Sequence, residues 1–365
     1  MKINYVNLVE QYKLERKNLL KIIDKTFCSG SYVGGNQISK FESSIAKICN
    51  SKYAVAMNSG TDALTIALHL LGVRRGDEVI TPPNSFIAST AVIIHLGAKP
   101  VFVDVKEDQN IDENLIEKKI TKKTKAIIPV HLTGRMCNMK KILYISKKYK
   151  IPIVEDCAQS IMSKFLNKPS GSWGEIGCFS AHPLKNLNAM GDGGYLVTNN
   201  KNFFLKAKSL INHGMENRND ISNFGFVSRM DNIQAAILNY RLKNLKKMII
   251  KRRKNFEIYL NNLNRSVVFF PKEKKSEFNT YHTFVIQVDK RDKLKNFLDK
   301  KGIGTSIHYP IPIHLQKAYK KLFRKKEKYK NTENQAKSII TLPINQFMKE
   351  KEILFICKTI NKFYN

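Results

Sequence analysis

Seven short apolar runs rich in valine, isoleucine and alanine fall within the first two hundred residues, each separated from the next by a dozen residues or more. They are Tyr53–Met57, Glu78–Thr81, Pro100–Val105, Lys125–His131, Pro152–Asp156, Gly177–Ala181 and Gly194–Thr198. Runs with little polar alternation suit strands covered on both faces, and helices between them suit right-handed crossovers. Helices are predicted to begin near Thr61, Ser85, Asp112 and Asn138. The pattern predicts an α/β fold around a mostly parallel sheet, with ligands bound beyond the carboxyl ends of its strands.

The texture changes downstream. The segment DNIQAAILNYRLKNL, from Asp231, carries Ile233, Ala236, Ile237, Tyr240 and Leu245 near helical spacing and runs into the basic stretch Lys246–Lys254. Beyond Val267, Phe284–Val288 reads as a strand, and Asp292–Lys301 as a helix closed by Gly302. These features predict a large domain over 1–250 and a small C-terminal α+β domain over 251–365.

Composition excludes several classes. Apolar residues make up 42% and charged residues 25% of the 365, ordinary values for a globular chain. No apolar run approaches the ~20 residues that span a bilayer, and Glu10 and Glu15 interrupt the start, so no secretory signal is read there. A cytoplasmic protein without a membrane partner is expected. The six cysteines have no CxxC spacing, so no metal site is expected and buried free thiols are. The net charge of +33 points toward anionic partners. However, 51 of the 63 cationic residues are lysine, often beside asparagine and isoleucine, which suits a solvated surface. Lys118–Lys125, Lys246–Lys254 and Lys317–Lys330 would be the basic faces of a nucleic-acid binder. No zinc, RNP or helix-turn-helix pattern supports that reading, and no nucleic-acid partner is expected.

Three segments carry chemistry. Asn58-Ser59-Gly60-Thr61-Asp62 follows a strand and opens a helix, so its unsatisfied N–H groups suit an anion such as phosphate, or simply a helix cap. Val154-Glu155-Asp156-Cys157-Ala158-Gln159-Ser160 delivers carboxylates to a strand end, where a protonated ring nitrogen or a helix cap would justify them. Phe179–Gly194 places Lys185 between a strand and a turn with glycine at 191, 193 and 194. A lysine in a partly dehydrated pocket loses its proton more easily and can form a Schiff base. Phosphate anchor, ring-nitrogen carboxylate and Schiff-base lysine are the three contacts that pyridoxal phosphate requires.

Those segments, with G76DEVITPPNSFIAS89, P129VHLTG134, S228RMDNIQAAIL238 and H308YPIPIHLQ316, resemble the pyridoxal-phosphate-dependent nucleotide-sugar aminotransferases, the DegT/StrS-like family, nearly end to end. The resemblance implies an aspartate aminotransferase-like (type I) fold with a seven-stranded sheet, a small C-terminal domain, and a homodimer with shared active sites. It implies that Lys185 is the cofactor-binding lysine and the acid/base, with Asp156 on the ring nitrogen and Gln159 near the ring oxygen. Gly60, Thr61 and Ser180 would hold the phosphate, and Phe86 would stack on the ring. Asn188, Asp192 and His182 are read as structural. His213, Arg229, His308 and Tyr309 are candidate substrate contacts. Many relatives carry an asparagine just before Ser228 that reaches the partner's cofactor phosphate; here Val227 stands in its place.

The activity implied is ping-pong amino transfer from L-glutamate to a nucleotide-diphosphate keto-sugar. The HYPIPIHLQ form most resembles enzymes that make dTDP-3-amino sugars from dTDP-3-keto-6-deoxyhexoses, for lipopolysaccharide O-antigen or other glycans. A 4-keto or UDP-linked substrate is the alternative. Related sugar dehydratases replace the lysine with histidine, and this chain keeps Lys185. A binding or regulatory protein on the same scaffold is the rival from another class.

Overall fold

A computed structural model describes residues 2–323 and 327–365; Arg324–Lys326, part of the basic run Lys317–Lys330, lie outside the described residues. Four strands pair in the order Tyr53–Met57, Gly194–Thr198, Ile176–Ser180 and Val154–Asp156. Three more pair in the order Lys99–Phe102, Glu78–Thr81 and Thr124–Ile127. Parallel bridges Ile127–Ile153 and Val130–Asp156 join the two sets into one sheet. Gly194–Thr198 alone runs antiparallel to its neighbours.

Helices cover both faces, which accounts for the unbroken apolar runs. Gly60–Leu70 packs Leu64, Ile66 and Leu68 onto Val55, Met57 and Leu196. Met139–Tyr149 packs Met139, Ile142 and Ile145 onto Ile80, Ile127 and Ile153. Asn36–Ile48 and the long helix Asn232–Asn262 close a third cluster around Phe41, Tyr195 and Leu238.

Three expectations shift. The strand read as Lys125–His131 ends at Ile127, because Pro129 has no amide to donate to a ladder. The strand read as Pro100–Val105 ends at Phe102. Asp104 beyond it instead caps a distant helix, accepting from the Asn331 and Thr332 amides at 2.9 and 3.0 Å. No helix starts at Asp112. Its carboxylate closes a local turn with the Asn114 amide at 3.0 Å, and only a single 3-10 turn, Glu117–Lys119, follows.

Residue 250 falls inside the helix Asn232–Asn262, so no linker marks that position. The packing partners change along this helix. Leu245 and Ile249 belong to the cluster with Phe41, whereas Phe256 and Tyr259 belong to one with Phe284, Ile340 and Ile356. That second core rests on an antiparallel sheet of Val268–Phe269, Phe284–Val288 and Ile339–Leu342, with helices Arg291–Lys300 and Glu350–Tyr364. Ile3 joins the same core, held to Gly302 and Gly304 by two backbone hydrogen bonds of 2.8 Å. No helix among the described residues is long and apolar enough to cross a membrane.

The sheet brings three backbones into contact at its carboxyl edge. A Cβ on Gly194 would lie 2.2 Å from the Ser59 carbonyl carbon, and one on Gly60 would lie 2.8 Å from Ser180 Cβ. Gly194→Ala forces backbone against backbone, so a loss of about 3 kcal/mol or more is expected. A melting temperature equal to the parent's would contradict this packing.

Candidate active site

The helix Gly60–Leu70 begins at the carboxyl end of Tyr53–Met57, with Ser59 as its cap, accepting from the Asp62 amide at 3.0 Å. The Gly60 and Thr61 amides have no protein acceptor among the described residues and both residues line a cavity of ≈ 480 Å³. Ser180, at the end of Ile176–Ser180, lines the same space. The turn is braced from behind. Asp62 accepts from the Ser228 hydroxyl at 2.8 Å, and Ser228 accepts from the Asn58 amide at 3.4 Å.

Asp156 ends the strand Val154–Asp156 and is only 5% exposed. One carboxylate oxygen accepts from Ser89 Oγ at 2.7 Å and the other from the Ala158 amide at 3.1 Å. Lys185 sits in the turn after Ile176–Ser180, its amide bonded to the His182 carbonyl at 2.8 Å. Its amine opens on the cavity. Dehydration by the surrounding protein lowers its pKa from 10.5 to about 8, while Asp156 pulls in the opposite direction. Gln159 Oε1 accepts from the Thr133 amide at 2.7 Å, which turns its Nε2 toward the Tyr309 hydroxyl at 3.5 Å. Phe86 is 57% exposed and tilts over Tyr309 with ring centroids 6.1 Å apart. A large ring left uncovered beside a cavity suits a platform for a flat ligand.

The structure therefore gathers Lys185, Asp156, Gly60, Thr61, Phe86, Gln159, Ser180, His308 and Tyr309 around one cavity. His308 is pushed down to about 4 by burial, and then by the Lys185 amine, so its imidazole is neutral at pH 7. Its Nδ1 lies 2.9 Å from Thr341 Oγ1. His182 and Asp192 also line the cavity. Asn188 does not; it is buried and bonded to Gln11 and to the Pro183 carbonyl.

His213 and Arg229 are not brought to this cavity. His213 is exposed with a left-handed φ of 61°, and Arg229 Nη1 bonds Asn212 at 2.9 Å. They lie on an exposed strip with Phe224 and Val227, which are 99% and 62% exposed. Sequence reasoning missed Ser89, Tyr5, His282 and Arg252. Arg252 left one signal. It follows Ile249 and precedes Phe256 and Tyr259 at spacings of three, four and three, the buried stripe of its helix.

A model of the DegT/DnrJ/EryC1/StrS aminotransferase family matches residues 13–361. The chain belongs to that family. It is 36% identical to a pleiotropic regulatory protein of Geobacillus stearothermophilus, with 100% of this chain and 99% of the relative aligned. It is 35% identical to a dTDP-3-amino-3,6-dideoxy-alpha-D-galactopyranose transaminase of Aneurinibacillus thermoaerophilus, over 95% and 96% of the two chains. It is also 35% identical to a UDP-N-acetyl-3-dehydro-alpha-D-glucosamine 3-aminotransferase of Acidithiobacillus ferrooxidans, over 99% and 97%. Among solved structures, DesV of Streptomyces venezuelae, in complex with a ketimine intermediate, superposes with a TM-score of 0.96 at 32% identity, covering 99% of this chain and 98% of DesV. NtdA of Bacillus subtilis, with its cofactor PMP bound, superposes with a TM-score of 0.89 at 30% identity, over 95% and 82%.

The fold is that of these aminotransferases, with pyridoxal phosphate as the family's cofactor. The residues present fit it. The Gly60–Thr61 amides offer a dianion a positive helix end, which glycine at position 60 lets pack directly against Ser180. Asp156 is a buried carboxylate with two donors and room for a cationic third. Lys185 supplies an amine that is substantially neutral near pH 8. When bound, the cofactor supplies an electron sink for a carbanion.

Because the neutral amine is the reactive form, labelling of Lys185 in cofactor-free protein should rise with pH through about 8, not 10.5. Reductive methylation read by mass spectrometry measures this midpoint. Asp156→Asn removes the charge that raises the value, so its midpoint should lie lower still. A wild-type midpoint above 10 would contradict the dehydrated setting. Lys185→Ala should abolish turnover and the visible absorbance of the yellow holoenzyme; normal turnover would remove Lys185 from the chemistry.

Proposed function

We propose that this chain transfers the amino group of L-glutamate to a nucleotide-linked keto-deoxy sugar, with a dTDP-3-keto-6-deoxyhexose as the preferred acceptor, to give a dTDP-3-amino sugar for surface-glycan assembly. One observation carries the reading: a dehydrated amine and a buried carboxylate, Lys185 and Asp156, face one cavity that ends on a free helix N-terminus. Asp156 holds a ring nitrogen protonated. Lys185 Nζ takes the proton from the donor's α-carbon in the first half-reaction and returns one to the sugar carbon in the second. Gln159, fixed by the Thr133 amide, orients the ring oxygen, and Phe86 covers the ring face. His308 and Tyr309 are assigned to the sugar because both line the cavity, a neutral imidazole beside a phenol held protonated by burial. Both serve hydroxyl groups without adding charge.

A homodimer belongs to the same proposal. Phe224, Val227 and Ile221 are exposed apolar side chains on the strip that carries His213 and Arg229. In the dimer proposed, a second copy covers that strip and those two residues serve the other copy's cavity. Val227 offers apolar contact there, and Ser228 behind it is already bonded to Asp62. Phe224→Asp should shift sedimentation from dimer to monomer and lower activity at least tenfold; a dimer with parental activity contradicts the arrangement.

A UDP-linked acceptor is the second reading, favoured by the 35% identity to the UDP-sugar enzyme, equal to that of the dTDP-sugar enzyme. Purified enzyme, L-glutamate and a panel of dTDP- and UDP-linked 3-keto and 4-keto sugars decide between them, with 2-oxoglutarate formation as the readout. Formation only with dTDP-3-keto sugars supports the first reading. Formation only with UDP-sugars replaces it, and none with any member of the panel rejects both.

A further inference from the structure

The buried stripe of the helix Asn232–Asn262 holds Ile249, Phe256 and Tyr259, and among them Arg252, which is only 8% exposed yet lines the cavity. Its bonds all go to neutral acceptors. Nε donates to Gln346 Oε1 at 3.2 Å, and Nη1 donates to the Tyr281 and His282 carbonyls at 3.2 Å each. Nη2 has no protein partner among the described residues. A guanidinium taken this far out of water without a carboxylate is costly unless an anion arrives to meet it. Burial lowers its pKa only to about 10, so it stays charged at pH 7.

The other cavity groups leave this role open. Lys185 is committed to the cofactor. Burial, with the nearby Lys185 amine, pushes the His282 and His308 imidazoles toward neutrality. Among the described residues, Arg252 is then the one lysine or arginine of the lining free to meet a second anion.

We propose that Arg252 receives a carboxylate of the amino donor, through the Nη2 edge that the protein leaves unpaired. The inference rests on the transaminase reading and names the group that recognises its donor. A carboxylate fits better than a diphosphate. Arg252 bonds the His282 carbonyl, and Arg252, His282 and Lys185 line the same cavity, so the guanidinium opens on the space that holds the reacting amine. A donor's α-carboxylate is attached to the reacting carbon itself. The diphosphate of a 3-keto or 4-keto sugar is attached at the anomeric carbon, further round the ring from the reacting one. Arg–carboxylate pairs gain from the two-pronged geometry that an ammonium lacks.

The test uses the holoenzyme and glutarate, a dicarboxylate with no amino group, with binding read by calorimetry. Arg252→Gln should weaken glutarate at least tenfold, Arg252→Lys by less, and dTDP and UDP by under twofold. In the L-glutamate half-reaction the loss should fall on KM more than on kcat. Parental glutarate affinity in Arg252→Gln overturns the proposal, as does a loss of nucleotide affinity equal to that for glutarate. If the variants do not fold, the parent protein decides: saturating glutarate should slow phenylglyoxal modification of Arg252, and an unchanged rate overturns the proposal. Amino transfer from L-glutamate without Arg252 dependence rejects this inference and leaves the function standing. Arg252-dependent glutarate binding without amino transfer does the reverse.

Discussion

The amine of Lys185 has to be dry enough to lose its proton and close enough to a carboxylate to serve a charged cofactor, and these demands oppose each other. Dehydration lowers its pKa to about 8, while Asp156 raises it. The balance depends on where the two residues are held. Asp156 is fixed by Ser89 and by the Ala158 amide, not by Lys185. With both carboxylate oxygens already bonded, Asp156 is a steady field in the cavity wall, and the lysine stays free to move. A tight Lys–Asp pair would have kept the amine protonated and inert.

That arrangement is a product of the sheet. Neighbouring parallel strands end together, so Val154–Asp156 and Ile176–Ser180 deliver the carboxylate and the lysine turn to the same edge. The antiparallel strand Gly194–Thr198 passes between Ile176–Ser180 and Tyr53–Met57, and its first residue must be glycine because Ser59 occupies the space. The glycine-rich turn after Lys185 and the helix opening at Gly60 are therefore one construction, although they lie far apart in sequence. The phosphate end and the amine end of the site are spaced by backbone contact rather than by side chains.

Much of this was legible in the residues. Continuous apolar runs marked all seven strands, and the misjudged ends trace to identifiable causes: Pro129 without an amide, and Asp104 spent on a distant cap. The three motifs named the chemistry because each is local, a strand end or a turn whose function lies within a few residues. Arg252, Ser89 and Tyr5 were not legible in that way. Arg252 and Tyr5 line the cavity, and Ser89 reaches Asp156 behind it, from elements whose own pattern reads as ordinary core or surface, and only the tertiary fold brings them there. His213 and Arg229 show the converse, since the motif containing them is plain in sequence but their place in one chain is an exposed strip.

The adjacent acids Glu155 and Asp156 show how the fold divides two like residues between structure and chemistry. Successive side chains of a strand point to opposite faces, so one stays in the core while the other meets the cavity. Glu155 is fully buried and accepts from the Trp173, Gly174 and Gly171 amides at 2.6, 2.8 and 3.0 Å, and from His131 Nε2 at 3.0 Å. His131 Nδ1 accepts from the Cys137 amide, which fixes the proton on Nε2. Four donors leave Glu155 no capacity for a ligand, and they tie the loop 171–174 and the segment 131–137 to the strand. The His131 amide also bonds the Asp156 carbonyl at 3.0 Å. Glu155 thus anchors the backbone from which Asp156 projects. A carboxylate that must hold its position against a moving amine and an arriving cation needs both levels of support: Ser89 and the Ala158 amide fix its side chain, and the Glu155 network fixes the backbone that carries it.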